Sequence, residues 1–366
     1  MKVEELELRR IVLPLVTPFR TSFGVQNERD VLLVRARVDG VDGWGECVAG
    51  MVPNYSSEFT EGAHLVTRQH LAPALLAAAD VTAATVRPLL DGTRGHPMAK
   101  AALEAAVLDA ELRQSGVSLA QHLGAVTDSV EVGVSVGITG SVGDLVGRVA
   151  LHVDEGYGRV KVKIEPGFDV EPVAAVRARF GDLRLQVDAN AAYTRADGHQ
   201  LRRLDDFDLL LIEQPLAEDD LLGHARLAEE LRTPICLDES ITSARVAADA
   251  VALGACSIVN IKAGRVGGYL EARRIHDLCR AADVPVWCGG MLETGIGRAA
   301  NLALAALPGF LLPGDISASD RYFATDITEP FVLDGGRLPV PSGPGIGVEP
   351  IPDVLDAVTT GSELLR

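Results

Sequence analysis

Five charged residues recur at a nearly constant step through the middle of the chain. They are Lys163, Asp188, Glu213, Asp238 and Lys262, at intervals of 25, 25, 25 and 24 residues. Each closes a short apolar run of strand length: RVKVK, LRLQVD, LLLIE, TPICLD and SIVNIK. A step of that size holds one strand and one helix, the repeat of a parallel β/α barrel. In such barrels the C-terminal ends of the strands open on one mouth, where the chemistry sits. Three carboxylates and two lysines on five consecutive strands are therefore expected to share one site. The alternative, five unrelated strand ends in solvent, is disfavoured because charged residues in step are seldom buried without a task.

Side-chain alternation predicts which residues point into the barrel. In VEVGVSVGI, Val130, Val132, Val134, Val136 and Ile138 form one face of a single first strand, and Ser135 lies on the other, near the mouth. In RVKVKI, Val160, Val162 and Ile164 meet the helices, which leaves Lys161 and Lys163 facing inward. Two inward lysines two residues apart repel, and a lowered lysine pKa is the expected use of such a pair. The same parity turns Gln186, Asp188 and Asn190 inward, then Glu213, Asp238, Asn260 and Lys262. Two further units, VPVWCG and FLLPGD, bring the count to eight strands, with Asp315 marking the last. Beyond them FVLDGGRLPV reads as a hairpin turning at Gly335-Gly336.

The 366 residues, 47% hydrophobic, suit a barrel plus a smaller lobe. The expected fold class is α/β: a modified TIM barrel, (β/α)₇β, with an α+β N-terminal capping domain completed by the C-terminal segment. The expected boundaries are 1–125 for the cap, 126–319 for the barrel and 320–366 for the return. In the first lobe VLLVRARV reads as a strand turning at Asp39-Gly40, and a helix is expected from Pro97 to Gly116. Two loops, PFRTSFGVQ and MVPNYSS, are rich in apolar residues for surface connections. Phe19, Phe23, Met51 and Tyr55 are candidate lid residues on that ground, and Arg20 in the first loop goes with them as a candidate substrate contact. A formal net charge of −17 argues against nucleic-acid binding, which needs a basic surface. Five cysteines without paired spacing argue against a disulfide framework. The first residues form no apolar signal core and no apolar run is long enough to span a bilayer, so a cytoplasmic protein without a membrane partner is expected.

Asp188, Glu213 and Asp238 make a hard oxygen donor set, suited to Mg²⁺ or to Mn²⁺. Zinc is disfavoured, since no histidine pair closes a strand. A divalent ion beside a substrate carboxylate favours loss of the proton on the next carbon, because it stabilises the enediolate charge. Lys163 and Lys262, on strands two and six of eight, stand on opposite sides of the mouth. Lys161 is the neighbouring positive charge. Such a pair can serve racemisation, cycloisomerisation or dehydration of a small-molecule carboxylate. Glu239, next in sequence to Asp238, is expected on the other face, as a supporting or surface acid.

Taken together, KVK, VDAN, IEQP, LDES and NIKAGRVGG resemble the enolase superfamily, muconate-lactonizing subgroup, over nearly the whole chain. That resemblance implies metal ligation by Asp188, Glu213 and Asp238, acid/base chemistry at Lys163 and Lys262 with Lys161 beside them, and an outer-shell role for Asn190. The mandelate-racemase pattern of a histidine near strand seven is absent from WCGGMLETG. PFRTSFG, MVPNYSS, SVG, CGGMLETGIGRAAN and GDISASDRYF are most similar to the o-succinylbenzoate synthase branch that includes N-acylamino acid racemases. Arg265 in KAGRVGG matches an arginine of that branch, whereas Ala263 stands where many relatives carry proline. The resemblance further implies substrate contacts at Ser135, Gly290, Met291 and Leu292, homo-oligomers, and a role in menaquinone biosynthesis. N-acylamino acid racemase as the main activity, and muconate cycloisomerase or dipeptide epimerase chemistry, are the alternatives. Asp315-Ile316-Ser317 lacks the Asp-x-Asp of the epimerases. A non-catalytic binding barrel is the alternative from another class.

Overall fold

The structure is a computed structural model that describes all 366 residues. Three long strands open it: β1 (Val3–Thr21), β2 (Gly24–Val38) and β3 (Val41–Cys47). They form an antiparallel meander. The β2–β3 turn is Asp39-Gly40, with φ of 43° and 81°, the left-handed pair that two-residue hairpins require. The β1–β2 register shifts between Pro14 and Phe19, where a proline without an N–H interrupts the ladder. The strands continue past that bulge, so the loop carrying Phe19 and Phe23 is lifted off the sheet on a stiff β-ribbon.

The sheet lies on the helix Pro97–Ser115, which begins at its proline and stops at Gly116 in the left-handed region. Thirteen residues of that helix are buried, so it has no solvated face to speak of. Contact with β3 is backbone to backbone: a Cβ at Gly45 would stand 2.0 Å from the Ala102 carbonyl oxygen. Gly45→Ala is therefore expected to lower the unfolding free energy by about 3 kcal/mol, because neither backbone can yield without repacking the cap. Chemical denaturation at constant m-value measures it, and a loss below about 0.5 kcal/mol would contradict the packing.

The second layer is a parallel sheet of seven strands in sequence order. A short strand, β4 (Ser129–Glu131), precedes it. The seven are β5 (Val134–Val136), β6 (Arg159–Lys163), β7 (Arg184–Asp188), β8 (Ile212–Glu213), β9 (Ile235–Leu237), β10 (Ile258–Ile261) and β11 (Val286–Cys288). The stretch Phe310–Asp315 closes the ring through isolated bridges, Val286 to Phe310 on one side and Val132 to Gly314 on the other. Helices cover the outer face, and the outward valines of each strand join one core with them.

Two expectations are corrected. Residues 130–138 are not one strand: β4 leaves the barrel and pairs antiparallel with β12 (Arg337–Pro339). The break falls at Gly133, where a Cβ would stand 2.2 Å from the Arg159 guanidinium carbon. The expected hairpin of 331–340 is limited to its turn. Gly335 and Gly336 do turn with positive φ, but only Asp334 and Arg337 bridge across it. The strand after the turn pairs with β4 instead, burying Leu338. The chain returns to the first sheet later, as the helix Pro352–Val358 and β13 (Thr359–Leu365), which pairs antiparallel with β1. All five cysteines are buried and free. No helix is long and apolar enough to cross a membrane.

Candidate active site

The parallel register sets charged side chains side by side. Lys161 is level with Gln186, Lys163 with Asp188, and Asp188 with Glu213. Because alternate residues share a face, Lys161, Lys163, Gln186, Asp188 and Glu213 are all buried in the lumen. Asp238 and Lys262 lie just beyond the ends of β9 and β10 and are buried with them.

Each acid is matched by a cation. Lys161 Nζ donates to Glu213 Oε2 at 2.8 Å and stands 3.0 Å from Asp188 Oδ2 and 2.5 Å from Asp315 Oδ2. Lys163 Nζ donates to Asp188 Oδ2 and to Asn190 Oδ1, both at 2.6 Å. Lys262 Nζ donates to Asp238 Oδ2 at 2.8 Å and to the Tyr55 hydroxyl at 3.0 Å. Arg265 holds the other oxygen of Asp238 and donates to the Asn260 and Ile241 carbonyls. Asn190 Nδ2 donates to Glu239 Oε1 at 2.8 Å, and Glu239 Oε2 has no partner.

These partners explain the titration behaviour. Burial opposes the charge on Lys161, but Asp315, Glu213 and Asp188 outweigh it and raise the pKa. Burial is likewise outweighed at Lys262, chiefly by Tyr55 and Glu239. Around Lys161, three carboxylates dominate the repulsion from a neighbouring ammonium. Asp188 is held low against its burial by Lys163 and Lys161. Burial and the nearby Asp188 push Glu239 up to about 7. The expectation that Glu239 lies on the far face is also corrected, since it is 6% exposed and inside the charged network.

The three carboxylates Asp188, Glu213 and Asp238 do not gather on a common centre, because ammonium groups stand between them. The donor set nonetheless fits a hard divalent cation. It offers carboxylate oxygens from three successive strand ends, with a further unpartnered carboxylate oxygen on Glu239.

Above this floor is a cavity of about 60 Å³. Lys161, Lys163, Lys262, Asn190, Ser135 and Asp315 form its barrel side. Gly290, Met291 and Leu292 reach it from the loop after β11. The cap supplies Phe19, Thr21, Phe23, Gln26, Arg29 and Tyr55. Of the cap candidates, Met51 is 44% exposed and Arg20 turns outward to Glu165 at 2.9 Å, so neither lines the cavity. Arg265 is also outside it, fastened to Asp238. The alternation argument passed over Arg29, Gln26 and Tyr322, and treated Asp315 only as a strand marker. Asp315 had a sequence signal, since it closes the eighth run as the other acids close theirs. Arg29 had none, because a charged residue on a meander strand usually faces solvent.

The two cap loops are tied together, Asn54 Nδ2 donating to the Phe23 carbonyl at 3.3 Å, and to the barrel, Ser22 donating to the Ala189 carbonyl at 3.2 Å. A volume of about 60 Å³ holds a few waters, whereas organic ligands need roughly 300 Å³ or more, so these loops must shift for a ligand to enter.

A family model described as "Mandelate racemase / muconate lactonizing enzyme, N-terminal domain" matches residues 5–124. One described as "Enolase C-terminal domain-like" matches residues 144–354. The chain is 65% identical over 361 residues to an N-succinylamino acid racemase of Amycolatopsis sp, covering 98% of both. It is 48% identical over 351 residues to an o-succinylbenzoate synthase of Geobacillus kaustophilus, covering 95% of this chain and 94% of that one. A crystal structure of an enolase superfamily member from Listeria innocua superposes with a TM-score of 0.95 at 42% identity, over 100% of this chain and 99% of that one.

Proposed function

Because this chain belongs to the mandelate racemase/muconate lactonizing enzyme family of the enolase superfamily, we propose that it both forms o-succinylbenzoate and racemises N-succinylamino acids. Both reactions begin with removal of the proton on the carbon next to a carboxylate. The observation that carries the reading is the pair Lys163 and Lys262. They come from the ends of β6 and β10, four strands apart in a ring of eight, and both line one cavity.

Asp188, Glu213 and Asp238 are the residues that would hold a divalent ion, Mg²⁺ or Mn²⁺. When bound, such an ion supplies positive charge at the substrate carboxylate and so favours the enediolate. Lys163 takes the α-proton on its face of the substrate. In the synthase reaction Lys262 remains an ammonium ion beside the enediolate, and the ring hydroxyl leaves as water with the proton that Lys163 took up, which makes the ring aromatic and restores neutral Lys163. In racemisation Lys262 delivers a proton to the opposite face, and the roles reverse for the other enantiomer. Asn190 positions Lys163, and Asp238 with Tyr55 positions Lys262. Phe19, Phe23, Met291 and Leu292 exclude water and receive the ring or the amino-acid side chain. Arg265 acts through Asp238, by fixing one of its oxygens.

Of the two activities, racemisation is favoured as the principal one by the 65% identity to a racemase against 48% to a synthase. Both are measured on the same Mg²⁺-loaded protein: aromatisation of the hydroxycyclohexadiene carboxylate by absorbance, and racemisation of N-succinylphenylalanine by polarimetry. Turnover of both is expected, with the larger kcat/KM for the amino acid. Turnover of neither by folded, metal-loaded protein would remove this reading.

A further inference from the structure

The cavity has a cationic wall that the chemistry above does not use. Arg29 lies on β2, on the same face as Val31 and Leu33, and points from the cap towards the barrel. It is 2% exposed and lines the cavity. A guanidinium carries five N–H donors. Here Nε has no partner, and Nη2 makes one long bond of 3.4 Å to the Val48 carbonyl.

Two acids lie near Arg29, but their oxygens are committed elsewhere. Glu46 accepts from the Thr294 and Gly297 amides and from the Thr294 hydroxyl. Glu293 accepts from the Met291 amide and from Asn301. Neither makes an ion pair with Arg29. Burial consequently depresses the pKa of Arg29 in spite of both acids. A buried guanidinium with open donors carries a desolvation cost that an anion would relieve. Gln26 also lines the cavity.

We propose that Arg29 is the subsite for a second, remote carboxylate of the substrate. This rests on the function proposed above and deepens it, because the substrate then carries one carboxylate at each end of the cavity. The reacting carboxylate lies over Lys163 and Lys262 at the barrel floor. The terminal carboxylate of the succinyl group lies at the cap, where a planar guanidinium can bind both of its oxygens. The cap thereby selects succinyl over neutral acyl groups.

The test compares N-succinylphenylalanine with its terminal carboxamide analogue on metal-loaded native protein, reading α-proton exchange in deuterated solvent. A kcat/KM at least about 100-fold higher for the carboxylate is expected, expressed mainly in KM. Arg29→Met should bring that ratio close to one, and Arg29→Lys should recover part of it. Equal kcat/KM for the two compounds with the native protein would overturn the subsite and leave the proton chemistry standing. An equal loss on both in Arg29→Met would overturn it too, making Arg29 a counter-ion for Glu46 and Glu293. Exchange with neither compound would remove the parent reading and the subsite together. The native-protein comparison stands even if the variants do not fold.

Discussion

Lys163→Ala is expected to end interconversion of N-succinylphenylalanine enantiomers and to lower synthase turnover by about 1000-fold or more. A positioned general base contributes roughly 100- to 10,000-fold, and nothing else in the cavity replaces it on that face. Asn190 is an amide, and Lys161 is engaged by Asp188, Glu213 and Asp315. The fold should survive the change, because Asp188 keeps Lys161 at 3.0 Å and is not left as an unpaired buried charge. Deuterium exchange followed by NMR separates the two faces. In Lys163→Ala, one enantiomer should still exchange through Lys262 without being converted to its mirror image. In Lys262→Ala, the other should. Equal exchange of both enantiomers in Lys163→Ala would move the base elsewhere. Asp188 and Glu213 serve as the metal-side control: ion binding by calorimetry should persist in Lys163→Ala, because neither acid has been altered.

Exhaustive chelation is expected to abolish both activities, and Mg²⁺ to restore them. Glu213→Gln should weaken ion binding by about 100-fold and lower kcat/KM at least as much. Glu213 is fully buried at the end of β8, where burial and Asp188 raise its pKa and so work against its ionised form. Lys161 and Asn260 both donate to its carboxylate. A divalent ion therefore competes with ammonium groups for the same oxygens. Occupancy at about 100 times Kd should add about 2.7 kcal/mol of stability, read as a rise in Tm, and Glu213→Gln should remove most of that rise. Full turnover after chelation, in protein shown by elemental analysis to be free of metal, would refute ligation by Asp188, Glu213 and Asp238.

Much of this site is legible along the chain because strand geometry is local. Alternation on β6 and β7 places Lys161, Lys163 and Asp188 in the lumen, and a constant strand-plus-helix step brings Glu213, Asp238 and Lys262 to the same rim. Local geometry also produces the failures. Glu239 lies past the end of β9, where a period of two no longer governs direction, and the chain turns it inward to Asn190. The run from Val130 to Ile138 alternates without a fault, yet Arg159 packs against Gly133 and splits it between two sheets.

The amino-acid order alone determined the barrel, its mouth and the charged residues on its floor, because each follows from hydrogen bonding and side-chain direction within a few residues. Only the tertiary structure decided which cap residues complete the site. Tyr55 and Arg29 reach the cavity while Met51 and Arg20 turn away, although all four come from the first lobe. The reason is that the cap meets the barrel through contacts separated by hundreds of residues, such as Tyr55 to Lys262. Those contacts depend on the angle at which two packed layers come to rest, and no periodicity in the chain encodes that angle.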